Sequence, residues 1–307
     1  MRNNLTDIKK NPGIDLVLVI GPNGKTGKAL IPKLLNLGYN VRALQYRSEV
    51  KPADGMEIVK GSTLDRDSIE KAVSGVDAVC HFVKTGSPGA DPFEKWLNTA
   101  VIGTANILES ARKVKLKRFI AGGADNIFGH VTIPHYDVIN ENSPKRFADG
   151  HYGLFKIVEE AMYRQYYLGF AVPVVITRFG WIWTDDFIET GAGALDKENR
   201  QILKKIDIEG KPLIRHDTHI DDVVQGILLS LQKDEAVGEN FNFLAPTPYS
   251  STELCKILSE KYKWPVIEKQ TEWYSWTMSN EKAISVLGYK PSVNVLDWLK
   301  KKLNMTE

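Results

Sequence analysis

The chain has 307 residues, 43% hydrophobic and 25% charged, with a formal net charge of +2. That length can bury a large core, and the near balance of Lys and Arg against Asp and Glu argues against nucleic acid as a partner. With only Cys80 and Cys255 there is no disulfide framework or cysteine metal cluster, and the apolar run 14–20 is too short for a membrane span and lacks secretory flanks, so a soluble, cytoplasmic protein is expected.

Residues 1–13 are polar, carry Pro12 and Gly13, and read as a loose leader. I-D-L-V-L-V-I at 14–20 then reads as a buried strand running into G-P-N-G-K-T-G and an apolar helix that ends near Gly38. A second strand is expected at 39–46, a third at 57–61, a helix at 66–74 and a fourth strand at 77–83. After a Gly/Pro loop come a helix near 93–113, a strand at 117–121, a loop-rich stretch at 122–149, a helix over roughly 151–168 and a strand at 172–179. This alternation predicts an α/β fold, a Rossmann-type doubly wound parallel sheet covered by helices. The remainder changes character, with Gly191 and Gly193 in an irregular stretch and short amphipathic helices at 254–262 and 295–303. We therefore expect a dinucleotide-binding domain over 14–180, with 215–245 returning to it, and a smaller interleaved substrate domain from 181–214 and 246–307.

Gly21, Asn23, Gly24, Lys25, Thr26 and Gly27 lie between a strand and a helix, the context a pyrophosphate-binding turn needs. Glycine allows the tight turn and close backbone approach, and the helix N-terminus favours negative charge. The spacing is G-x-x-G-x-x-G rather than G-x-G-x-x-G, and Lys25 either faces the phosphate or is solvated. At the end of the second strand Gln45 replaces the acid that would hold both ribose hydroxyls. Arg47, helped by Arg42, suits a 2′-phosphate, so NADP is favoured over NAD; the alternative leaves both arginines in solvent.

Tyr152 and Lys156 stand four residues apart and share one helical face. An ammonium near a phenol stabilises its anion, which suits Tyr152 to proton transfer near neutral pH. With G103-T-A-N-I-L-E, Y152-G-L-F-K-I-V-E-E, H216-D-T-H-I-D-D-V and M278-S-N-E-K-A-I-S-V-L-G-Y-K-P following the glycine turn in order, the chain resembles the extended short-chain dehydrogenase/reductase family, also called the NAD-dependent epimerase/dehydratase family.

The resemblance implies a cofactor lying along the glycine turn, Arg47, Ser62, Phe82, Val83, Tyr152, Lys156 and Phe179, and it implies a homodimer with the Phe155, Met162 and Tyr166 side of the active-site helix at a helix-on-helix contact. Packing within one subunit is the plainer alternative for those three. The family's Ser or Thr beside the tyrosine is replaced by Ala124, and Ser62 stands where an Asp commonly meets the adenine. Alanine donates no hydrogen bond, so Asp125, Asn126, His81, His151, Thr85 or a backbone amide near Gly123 would have to orient the substrate oxygen. The catalytic set expected is Tyr152, Lys156, Asp125 and Asn126. A-D-N-I-F-G keeps only one acid of the pair that dehydratases carry, which disfavours elimination.

None of the six histidines forms H-E-x-x-H, so no metal is expected. His219 with the adjacent acids either marks a family site or holds a strand-to-helix junction. Trp181 and Trp183 either cover a sugar face or pack a hinge. The leading expectation is an NAD(P)-dependent oxidoreductase acting on a secondary alcohol or ketone of a sugar-like molecule. The alternatives are an epimerase that returns the hydride from a retained cofactor, and a non-catalytic NAD(P)-binding regulator.

Overall fold

The computed structural model describes residues 7–84, 86, 91–146 and 150–305. The first strand, β1 (Leu16–Ile20), is followed by α1 (Lys25–Asn36), β2 (Asn40–Gln45), β3 (Met56–Lys60), α2 (Arg66–Val73) and β4 (Ala78–His81). Next come α3 (Phe93–Leu97), a π-helical turn (Asn98–Gly103) and α4 (Thr104–Lys113), which together make the long helix expected there. Then follow β5 (Arg118–Gly122), a 3₁₀ turn (Asp125–Phe128), α5 (Gly150–Phe170) and β6 (Val174–Phe179).

The chain continues through β7 (Ile182–Trp183), α6 (Asp186–Thr190), β8 (Leu195–Asp196), β9 (Gln201–Ile206), β10 (Ile214–Arg215), β11 (Thr218–His219) and α7 (Ile220–Gln232). It closes with β12 (Asn240–Phe243), β13 (Tyr249–Ser250), α8 (Ser251–Tyr262), β14 (Val266–Gln270) and α9 (Val295–Lys302).

Seven strands form one sheet in the order β12-β6-β5-β4-β1-β2-β3, and every pairing is parallel. The strand order reverses between β1 and β4, the switch point where α/β sheets open a crevice at their carboxyl ends. β4 and β6 are buried at every position, as strands covered on both faces must be. One apolar layer holds α1 and α7 against the sheet; the other holds α2, α4 and α5 on the opposite face.

Beyond β6 the chain builds the three-stranded β14-β9-β8 sheet and two short strand pairs. Their core gathers Trp183, Tyr249, Leu254, Leu258, Trp298 and their neighbours. β12 then returns the chain to the main sheet beside β6. The β14-β9-β8 sheet was not anticipated from the sequence: β14 is exposed along its whole length, so it carries no apolar alternation to read.

Candidate functional site

The crevice is floored by three adjacent strand ends. Ile20 pairs with His81 and His81 with Ala121, so the chain leaves β1, β4 and β5 side by side. Gly21, with φ +93, turns away from β1 directly beneath the Phe82 carbonyl; a Cβ there would lie 2.7 Å from that oxygen. A Cβ on Gly27 would lie 2.3 Å from the Gly21 carbonyl oxygen, so α1 presses directly on the turn. Gly24 precedes α1 without any side-chain capping bond, and the first turn of α1 carries no acid. The leading amides of α1 are thus left to an anion. Those features fit a dinucleotide pyrophosphate.

Around this turn each predicted cofactor residue has a definite place. The Asn23 side-chain amide donates to the Ser48 and Glu49 carbonyls at 2.9 and 3.2 Å, tying the turn to the loop after β2. Thr26 is buried. Lys25 is exposed, 3.6 Å from Asp186 and 4.5 Å from the centre of the Phe187 ring, so it bridges α1 to α6 across the crevice. The Ser62 hydroxyl accepts from the Leu64 amide at 3.2 Å, which commits it to the turn before α2. Phe82 and Val83 are half-buried beyond β4, and Phe179 closes β6 within the core.

Arg42, expected to help Arg47 meet a 2′-phosphate, is committed elsewhere. Arg42 is 2.8 Å from Glu57 and donates to the Ala72 and Ser74 carbonyls at 2.9 and 2.6 Å. It braces β2 against β3 and the end of α2 and leaves no fork for a 2′-phosphate. Arg47 is exposed and lies over its neighbour Tyr46, 4.9 Å from the ring centre. Gln45 accepts from the Val50 amide at 2.9 Å.

Tyr152 and Lys156 stand on α5 above the end of β5. The Lys156 Nζ lies 3.3 Å from the Gly122 carbonyl oxygen and 2.7 Å from Glu159 Oε2. Burial works against the ammonium, but the charges of Glu159, Tyr152 and Glu160 outweigh it and hold the Lys156 pKa above the ordinary lysine value. Tyr152 is half-buried, its ring edge-on to Trp96 at 6.1 Å between centres. One turn further along, Glu160 clasps Arg178 with two contacts of 2.8 and 2.9 Å, and Lys145 adds a third at 2.8 Å. Arg178 also lies over Phe128, 5.2 Å from the ring centre. This knot fixes α5 to β6 and to the 3₁₀ turn that carries Asp125 and Asn126.

His81, one of the candidates to orient the substrate oxygen, is turned into the core. It is buried, with Nδ1 3.0 Å from the Tyr163 hydroxyl. Burial and then the Lys156 charge lower its pKa to about 3, so it is neutral. Phe155, expected on a contact between subunits, is buried and stacks on Trp96 within the chain. His151 packs near the Phe93 and Trp96 rings, and Thr85 lies outside the described residues. Ala124 is buried beside the turn. Asp125 is buried as well: His130 Nδ1 lies 3.1 Å from its carbonyl oxygen and His130 Nε2 lies 3.5 Å from its carboxylate. Asn126 remains half-buried.

Opposite Asp125 lies a cluster that sequence reasoning missed. A Cβ on Gly180 would lie 3.4 Å from Asp125 Oδ2, with Asp217 beside it. Asp217 Oδ2 gathers Arg215 at 2.7 Å, Trp183 at 2.8 Å and Tyr249 at 2.7 Å. Arg215 lies against the face of Trp181, 3.9 Å from its ring centre. Lys205, Arg215, Tyr249 and Ser251 line one small cavity. Burial, followed by the Arg215 charge, brings the Lys205 amine down to about 8. The signal was present: Arg215 and Asp217 are two apart on an extended segment, hence on one face.

His219 serves the junction reading, since its Nδ1 accepts from the Asp221 amide at 3.2 Å and caps α7. Asp222 accepts from the Ser292 and Val293 amides at 3.1 and 3.0 Å. Among the described residues no group of three or more His, Cys, Asp or Glu could hold a metal ion, and no helix is long and apolar enough to cross a membrane.

Residues 17–243 match the model of the NAD dependent epimerase/dehydratase family. A uronate dehydrogenase of Pseudomonas syringae pv. tomato is 31% identical over 166 residues, 53% of this chain and 58% of that protein. An uncharacterised protein of Sinorhizobium fredii is 27% identical over 242 residues, 73% of this chain and 63% of its own length. The matches thus span about three fifths of these curated relatives.

In fold the chain is similar to a short-chain dehydrogenase/reductase superfamily protein from Agrobacterium tumefaciens solved with NAD, with a TM-score of 0.81, 23% identity and coverage of 94% and 95% of the two chains. It is also similar to the Bacillus cereus UDP-glucuronic acid 4-epimerase in complex with UDP-glucuronic acid and NAD, with a TM-score of 0.77, 20% identity and coverage of 94% and 98%. The NADP preference is overturned: the matching family is described as NAD dependent, and both of these similar structures carry NAD. The chain belongs to the NAD dependent epimerase/dehydratase family, a family of enzymes.

Proposed function

We propose that this member of the family is an NAD-dependent dehydrogenase acting at a secondary alcohol, or its ketone, on an acidic sugar of the uronate class. The observation that carries the reading is the pairing of Tyr152 and Lys156 one helical turn apart on α5, with the Lys156 amine at the Gly122 carbonyl that ends β5. The turn, with Gly21, Asn23, Gly24, Thr26 and Gly27, would hold the pyrophosphate, and Phe82, Val83 and Phe179 would flank the rest of the dinucleotide. NAD, when bound, supplies the hydride acceptor. Tyr152, as the phenolate that the Lys156 ammonium stabilises, takes the proton of the substrate hydroxyl as hydride leaves the carbon. With Ala124 unable to donate, Asn126 is the half-buried polar side chain nearest in sequence to take over orientation.

The acidic substrate class is supported by Lys205, which lines a cavity beside the Arg215–Asp217 pair. No carboxylate lies within salt-bridge distance of Lys205 among the described residues, and its lowered pKa means that burial disfavours its charge. An incoming carboxylate would reverse that penalty. The uronate dehydrogenase likeness points to the same class.

The test is reduction of NAD, followed by nicotinamide absorbance, with uronates and their neutral parent sugars. Uronates should turn over in preference, and Tyr152→Phe should lower kcat/KM by about 10²–10⁴. Lys205→Met should raise KM for the uronate about tenfold or more while leaving that for the neutral sugar unchanged. Inverted sugar without accumulated reduced cofactor would identify an epimerase instead, and equal use of neutral sugars would sink the acidic class.

A further inference from the structure

Lys156 departs from a simple Tyr-Lys pair because a second buried charge lies against it. We propose that Glu159 is the counter-charge of the site: it offsets the Lys156 ammonium and so raises the pH at which Tyr152 ionises. The inference rests on the reading that Tyr152 exchanges the substrate proton, and makes Glu159 a positioning residue that acts through Lys156.

The geometry is specific. Glu159 Oε2 is 2.7 Å from Lys156 Nζ, with the two side chains 3% and 9% exposed. At that depth solvent and salt screen the pair little. Two ions taken out of water cost several kcal/mol each in desolvation, so a purely structural bridge within one helix is a poor use of the position. Lys156 and Glu159 are three positions apart, which keeps them on one helical face. A carboxylate beside the ammonium cancels much of the field that would otherwise favour the phenolate.

The other charged and titratable groups around the pair are engaged elsewhere. On α5, Glu160 is held by Arg178 of β6 and by Lys145. Tyr163, also on α5, meets His81 of β4, which is neutral. Asp125 of the 3₁₀ turn lies beside His130. His151 at the start of α5 packs near Phe93 and Trp96 of α3, and α4 contributes the Thr104 hydroxyl rather than a charge near Tyr163. Glu159 is therefore the acid against the Lys156 amine, which it helps to hold charged.

The experiment titrates Tyr152 without substrate. Tyrosinate absorbance is followed against pH in the full-length protein and in Tyr152→Phe, and the difference isolates one phenol. The same pair of curves is recorded with Glu159→Gln, Glu159→Ser and Glu159→Asp. Both charge-free variants should lower the Tyr152 midpoint by about one pH unit or more, and Glu159→Asp should stay near the wild-type value. The serine variant leaves room for water and serves if the glutamine variant does not fold. An unmoved or raised midpoint in the charge-free variants, or an aspartate variant that moves as far as they do, overturns the proposal. Because no turnover is needed, a protein that oxidises no sugar would defeat the functional reading while the titration still judged Glu159. Where turnover is seen, the acid limb of kcat/KM should extend to lower pH in Glu159→Gln.

Discussion

Seven residues, 21–27, make the glycine turn, and its walls are backbone: the Phe82 carbonyl, the Gly21 carbonyl and the body of Pro22. The surroundings of Tyr152 draw instead on side chains, some along one helix and some from distant segments, with Lys156 against Glu159, Glu160 against Arg178, and His81 against Tyr163. The first region has no room for an added atom. The second cannot lose a charge without stranding its partner in the interior. One therefore reports on space and the other on charge balance, and substitutions can separate the two.

The largest effect is expected in the charged region. Glu160→Gln strands Arg178, which is 3% exposed, and should destabilise the fold by about 3–5 kcal/mol in denaturant unfolding. A loss below about 1 kcal/mol would mean that solvent reaches Arg178 and compensates, and the contrast between regions would fail. Gly27→Ala tests the turn. Its Cβ would fall 2.3 Å from the Gly21 oxygen, so the overpacked loop should cost about 1–3 kcal/mol. Binding of NAD should weaken about tenfold or more with the Tyr152 titration unmoved. An alanine variant that binds NAD as well as wild type would show that the turn is ornamental.

The smallest effect, taken per pH unit, is read as a slope. Burial lowers the pKa of both His81 and His130 from 6.5 to about 3. Unfolding frees each to take a proton near pH 6.5, so the stability of the neutral fold is whole above that pH and is lost as pH falls toward 3. Each histidine should contribute a slope approaching about 1.4 kcal/mol per pH unit between about pH 6 and 4. In His81→Gln, whose amide can still hydrogen-bond Tyr163, the slope of unfolding free energy should be shallower by about that amount. Identical slopes would place His81 in a wetter setting than its burial implies.

Much of this arrangement was legible beforehand, and the exceptions follow a pattern. β1, β4 and β5 announced themselves as continuous apolar runs because both faces of the sheet are covered. The glycine turn and the Tyr152–Lys156 spacing are local signals, complete within a few residues. Arg42 looked available for a phosphate because its partners, Glu57, Ala72 and Ser74, are 15 to 32 residues away. His81 ends a strand at the crevice, yet strand alternation together with Tyr163, 82 residues later, turns it into the interior. Lys205 joins Arg215 through the packing of β9 and the two-residue β10, which carry no strong pattern.

The sequence by itself determined the parallel α/β architecture, the glycine turn and the presence of a phenol and an amine on one helical face. Each depends on spacing along the chain, and spacing is read directly. Tertiary structure alone decided which distant charges meet: Arg42 on Glu57, Arg178 on Glu160. A buried charge is defined by its partner and by the water it has lost, and both are known only once distant segments have packed together.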